Sequence, residues 1–362
     1  MDKMLENYVI SEPKGEAGSA RISLWDNIRF FLIVLVVIGH YADEFKSVNE
    51  AFKSVYLFIY AFHMPLYLFI SGLFYSKKQE KQKILYYLSL GFFLKIILVA
   101  IERLSGEINP VFSLLSDAKT PWYMFVLAEY TVMMHYIEGL NKRYILIAFL
   151  VLGCVLGYDK NIGDTLYLSR MIVFFPFFLL GTMVNKEALF SFRKKYYPVL
   201  LSIALAVLGT WAYMSFFRLD KYYICRHLLT GRNPFNSKVI EFGPLARGLC
   251  YLLSFLTGSA VIVLAPGKQI PLFTGWGKKT INVYFWHMPF YLLISKFFDL
   301  KHAVNFNGGG FVVVLFAVAV CILFSADRLS IIPLQTIKKA CFYLPLWGSD
   351  TFQVNRNVTI KK

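Results

Sequence analysis

The sequence predicts an all-α fold: a polytopic membrane helix bundle of about ten transmembrane helices. Three observations lead there. Of the 362 residues, 57% are hydrophobic and the mean hydropathy is +0.54, more apolar than a soluble domain. Apolar runs long enough to enter a bilayer recur along the chain. Lys and Arg cluster after every second run, at 77–83, 141–143, 186–195 and 268–279, the asymmetry that orients multi-pass proteins.

Taken in order, the first span is expected at 25–42 and the second at 55–75, ending before Lys77, Lys78, Lys81 and Lys83. The third covers 84–103. The fourth, 122–140, ends at Lys142 and Arg143, and a short fifth covers 144–157. The sixth is expected at 166–184, the seventh at 197–217, the eighth at 244–265, the ninth at 280–297 and the tenth at 309–326. Residues 1–21 read as a polar cytoplasmic tail, 22–327 as the membrane domain and 328–362 as a second cytoplasmic tail. No cleavable signal peptide is evident, so the first span doubles as the insertion signal. With both termini cytoplasmic, the expected location is the plasma membrane, with the lipid bilayer as the first partner. One loop breaks the pattern. Residues 218–243 carry Arg218, Lys221, Arg226, Arg232 and Lys238, yet the count puts them outside. Either a helix is miscounted or this loop uses its cations, for an anionic acceptor or for lipid headgroups.

The net charge of +16 would suggest nucleic acid in a soluble protein. Here cytoplasmic loops and anionic lipid account for it, and no nucleic-acid partner is expected. The five cysteines, at 154, 225, 250, 321 and 341, lack metal-ligand spacing, so no metal is predicted. Only Cys225 falls in an external loop, which makes an external disulfide improbable. Nucleotide loops, dinucleotide turns, zinc-protease motifs and nucleophile elbows are all missing from the sequence, which argues against an ATP-driven pump or a self-contained serine hydrolase.

Chemistry concentrates in residues 26–44, DNIRFFLIVLVVIGHYADE. At about 100° per residue, eleven steps bring Arg29 and His40 within about 20° of one face, about 16 Å apart along the axis. Asp26, Asp43 and Glu44 share that stripe by three- and four-residue spacing. Charge at such depth is costly unless it lines a polar cavity or finds partners. The stripe therefore predicts a cavity with a cation at its cytoplasmic mouth and a titratable imidazole further in. The plainer alternative is an Arg29 that snorkels to the surface and a His40 at the outer interface. Two segments are alike: YAFHMPLYL at 60–68 and YFWHMPFYL at 284–292. Proline frees a helix carbonyl, and His63 or His287, two residues earlier, can bring a polar ring to that opening or simply bond a neighbouring helix. Glu129, about two turns into the fourth span, needs a cation or a proton; Lys95 and Arg170 are its candidate partners.

These motifs, in this order, resemble the acyltransferase-3 family of integral-membrane acyltransferases, in particular the branch with sugar O-acetylases such as fucose 4-O-acetylase. The likeness rests on Arg29 and His40 with Gly39, on Asp26, and on FHMPLYLFISGLFYSKK at 62–78 with Ser71-Gly72. It continues through Pro121-Trp122-Tyr123, PFFLLGTMVNK at 176–186 and Val283-Tyr284-Phe285-Trp286-His287, covering roughly residues 22–326. The resemblance implies transfer of an acyl group, usually acetyl from acetyl-CoA, to a hydroxyl of a cell-surface polysaccharide or its lipid-linked sugar precursor. It implies Arg29 and His40 as the essential pair, with His63, Trp122 and Tyr123 beside them.

The residues suit that chemistry. An alcohol needs a general base, and imidazole titrates in the right range. Asp43 or Glu44 would orient the ring. Arg29 would grip a phosphate of the polyanionic donor from the cytoplasmic side. The candidate catalytic residues are thus His40, Asp43 and Glu129. Arg29 and Asp26 are the candidate donor site, and His63, Trp122, Tyr123 and His287 the candidate acceptor site. Acetyl-CoA is a co-substrate. The rival reading is a proton-coupled transporter or flippase of a glycan precursor, since intramembrane ionisable groups and proline-broken helices suit transport as well. A third is a structural partner in a polysaccharide-synthesis complex.

Overall fold

A computed structural model describes residues 22–106, 112–116 and 120–343. The expected tail at 1–21 and the end of the chain from 344 lie outside the described residues. Among those described, the secondary structure is helical throughout. Thirteen longer helices carry the fold: α1 Ser23–Phe45, α2 Glu50–Tyr60, α3 His63–Leu73, α4 Glu80–Leu104, α5 Trp122–Tyr136, α6 Lys142–Val155, α7 Leu168–Met183, α8 Lys186–Lys195, α9 Tyr197–Phe217, α10 Gly243–Leu264, α11 Thr280–Phe297, α12 Gly309–Ala326 and α13 Ile332–Tyr343. Among the described residues, six segments are long and apolar enough to cross a membrane: α2 with α3, α4, α7 with its leading turn, α9, α10 with its leading turn, and α12. The other four expected spans form helices too, as α1, α5, α6 and α11. At 15 and 14 residues, α5 and α6 are shorter than a full crossing.

The second expected span breaks at Ala61–Phe62, between α2 and α3. The break lies upstream of Pro65, which occupies the first turn of α3, where its missing N–H leaves nothing unsatisfied. Pro176, by contrast, is carried inside a continuous α7. Two helices depart from the expected layout. Amphipathic α8 lies between the sixth and seventh spans and is pinned by Arg193, whose guanidinium donates to the carbonyls of Val263 (3.1 and 2.8 Å) and Ala265. The expected C-terminal tail begins with α13, which packs back on α4: Cys341 Sγ lies 3.7 Å from Ser89 Oγ, and Phe342 meets Tyr86 edge-on. Residues 332–343 therefore belong to the folded bundle.

Call the end where α1 begins the near end and the other the far end. Polar clasps hold each. At the near end, buried Asn27 donates to the carbonyls of Pro266 (2.7 Å) and Lys268 (2.9 Å) and accepts from Thr274 (2.7 Å). Asn282 donates to Phe324 O at 2.6 Å, tying α11 to the end of α12. At the far end, loop 218–242 folds down into the bundle, because Ser169 donates to Gly231 O at 2.7 Å and Arg247 donates to Leu228 O. Towards the near end, α3 and α7 touch backbone to backbone. A Cβ on Gly72 would stand 1.9 Å from Phe178 O, and one on Gly181 2.1 Å from Phe69 O, so both positions need glycine.

Candidate active site

Against α1, the bundle encloses two cavities that meet at His40. The larger, about 630 Å³, runs to the far end. Its walls include Asp43 and Glu44 of α1, Tyr56 and Tyr60 of α2, Arg170 of α7, and Thr230 and Arg232 of the folded-down loop. The smaller, about 150 Å³, runs towards the near end past Ile33, Tyr67, Tyr123 and Thr280. His40, Met64, Thr120 and Trp122 line both. One face of α1 lies along this axis, because Ile33, Val36 and His40 recur at three- and four-residue spacing.

His40 is half-buried, and its ring lies 5.4 Å, centroid to centroid, from that of His287 on α11. Among the described residues, no carboxylate bonds to it. The expected orienting group, Asp43, lines the larger cavity, but its carboxylate is held by Lys46 at 2.5 Å. His63 lines the larger cavity, with Nδ1 on Ile59 O at 2.9 Å and the ring edge-on to Tyr60. His287 is fully buried, with Nδ1 on Val283 O at 3.0 Å. Each ring therefore bonds the carbonyl four residues before itself. The carbonyl freed by the proline, two residues before the histidine, is not its partner, because a helical side chain points back over the preceding turn.

Trp122 and Tyr123 open α5 and are buried rather than set in an interfacial belt. The guanidinium of Arg170 lies 4.7 Å from the Trp122 ring, and Tyr123 Oη is 2.8 Å from Ser71 Oγ. Arg29 sits at the near end, 4.1 Å over Phe74 and 3.5 Å from the carboxylate of buried Asp26. Neither Arg29 nor Asp26 lines either of these two cavities. Arg29 is within electrostatic reach of Tyr67 and Tyr123, which line the smaller one. The expected stripe is therefore met only in part: His40, Asp43 and Glu44 line the larger cavity, whereas Arg29 and Asp26 stand outside both, and a narrow cavity rather than one open hollow runs from His40 towards them.

Glu129 stands apart from both cavities, half-buried, with Oε2 lacking a hydrogen-bond partner. Its two expected cations are engaged elsewhere. Lys95 donates to the carbonyls of Ser113, Leu114 and Ser116 at 2.8, 3.2 and 3.3 Å. Arg170 faces Asp164 at 3.8 Å, and the same carboxylate takes Arg232 at 2.6 Å. Asp164 so joins α7 to the far-end loop beside the cavity. The basic loop does place a cation at the site.

Several lining residues were missed by sequence reasoning. Tyr56 and Tyr60, stacked at 3.7 Å, share one helical face by their spacing, which was a usable signal. Glu102 and Lys296 reach the cavity through folding of distant segments, for which no local pattern exists. Among the described residues, no group of three His, Cys, Asp or Glu side chains is placed to hold a metal ion.

The arrangement gives one imidazole access to two chambers, a narrow tyrosine-lined one and a wide one with charged and aromatic walls. A base so placed can act on two reactants that arrive from opposite ends. A family model described as an acyltransferase domain, Acyl_transf_3, matches residues 22–326. No curated protein and no solved structure matches the chain. The matched stretch contains both chambers and His40 between them, and the chain belongs to the acyltransferase-3 family, as a membrane acyltransferase.

Proposed function

We propose that this protein moves an acetyl or other small acyl group from acyl-CoA to a hydroxyl of a cell-surface polysaccharide or its lipid-linked sugar precursor. It works in the plasma membrane, with the near end cytoplasmic. The observation that carries this reading is the position of His40 at the junction of the two cavities.

The donor's polyanionic head stays at the near end, where Arg29, oriented by Asp26, meets its phosphates. A guanidinium is permanently charged and offers paired donors that suit phosphate oxygens. The pantetheine arm follows the smaller cavity past Tyr67 and Tyr123 to His40. The acceptor occupies the larger cavity. There the aromatic faces of Trp122, Tyr56 and Tyr60 pack against a sugar ring, and His63 with the charged groups bonds its hydroxyls. His40 takes the hydroxyl proton as oxygen attacks the thioester carbon. The new C–O bond forms, the C–S bond breaks, and the proton passes to the departing thiolate.

Purified protein given acetyl-CoA and an extract of surface glycan precursors is expected to release thiol, and His40→Ala protein is not. Glycans from cells with and without the protein should differ in mass by one acyl group. Glycan precursor movement without thiol release would replace this reading with transport.

A further inference from the structure

His287 is the least accounted for of the three histidines near the cavity junction. It has no exposed surface, whereas His40 and His63 both reach the larger cavity. Its Nδ1 lies 3.0 Å from the carbonyl of Val283. A carbonyl only accepts, so Nδ1 carries the proton and Nε2 presents a bare lone pair. That nitrogen is buried and has no hydrogen-bond partner. The backbone around it is fixed from α1, because Tyr41 Oη donates to His287 O at 3.2 Å. The nearby ring is that of His40, one residue before Tyr41, at 5.4 Å with an interplanar angle of 38°. Rings whose centroids stand 5.4 Å apart can bring N–H to N within hydrogen-bond reach when the two nitrogens face each other. The carboxylate best spaced to do this instead, Asp43, is held by Lys46.

We infer that His287 is the positioning residue of His40. Its Nε2 accepts an N–H from the His40 ring, which fixes the tautomer and turns the other His40 nitrogen, with its lone pair, to the hydroxyl in the larger cavity. A neutral imidazole thereby fills the place that a carboxylate takes in a catalytic triad. The inference rests on His40 being the base. In the transfer step the hydroxyl proton goes to the cavity-facing nitrogen of His40 and from there to the thiolate. His287 neither gains nor loses a proton; it holds the ring and shares the charge of the transient imidazolium.

Two substitutions separate positioning from packing. His287→Phe keeps the ring volume and removes the lone pair. His287→Gln places an amide oxygen at the reach of Nε2. In acyl transfer by the purified full chain, His287→Phe is expected to lower kcat by about 100-fold with both KM values nearly unchanged, and His287→Gln to recover activity to within about tenfold of the parent. Should the Phe variant fail to fold, His287→Asn serves, since it can still bond Val283 O but falls short of His40; a loss of kcat alone is again expected. Full kcat in the Phe or Asn variant overturns the inference. So does equal loss in the Phe and Gln variants, or a loss carried by the acceptor KM. If the parent protein releases no thiol while folded, the reading of His40 as a base fails and this one falls with it. An active parent with an active His287→Phe variant removes only the positioning role of His287 and leaves His40 as the base.

Discussion

Histidine can take and return a proton near neutrality, and His40 stands where two chambers meet. His40→Ala should insert and fold normally, because the ring faces a cavity, and should lose transfer by at least about 100-fold in a thiol-release assay. Arg29→Lys keeps the charge but not the paired donors, so the KM for donor is expected to rise several-fold with protein level unchanged. The carboxylate of Asp43 is already matched to Lys46 across a partly exposed ion pair. Asp43→Asn is therefore expected to leave kcat within about threefold of the parent, since exposed pairs of this kind contribute little. A hundredfold loss there would return Asp43 to the orienting role that its helical spacing suggested.

At the scale of elements, the weakest tolerance lies where α3 and α7 meet. Gly72→Leu or Gly181→Leu drives a side chain into a backbone carbonyl that no rotamer change can clear. Each should lower thermal stability by at least about 1–3 kcal/mol, seen as reduced yield and melting temperature in detergent. The Asp164 link makes a separate prediction. Asp164→Ala releases Arg232 and loosens loop 218–242 from α7, so the acceptor KM is expected to rise several-fold while the donor KM stays put. The spans at this scale were legible because apolar run length and basic punctuation are local signals. Helices such as α4, α9 and α12 begin and end within a few residues of their expected bounds. The break at 61–62 was less legible, because proline marks where a helix can start as readily as where it bends. Helix α13 was hidden by its short amphipathic run, which reads as a polar tail until α4 is there to receive it.

For the whole molecule, the sequence foretold the participants better than their partners. The stripe on α1 set Arg29 and His40 on one face from helical spacing alone, and His63, Trp122 and Tyr123 do line the cavities. Spacing says nothing, however, about which distant element arrives opposite. Asp43 turned to Lys46, Lys95 to a ring of carbonyls, and Arg170 to Asp164, leaving Glu129 outside the site. The way the chambers share the indole of Trp122 bears on kinetics. A guest in either one presses on the same ring and on the guanidinium laid over it, so each reactant should change the other's affinity by an equal factor. Initial-rate plots for donor and acceptor should then intersect, as when both must be aboard before either reacts, rather than run parallel as in a relay through an acylated protein.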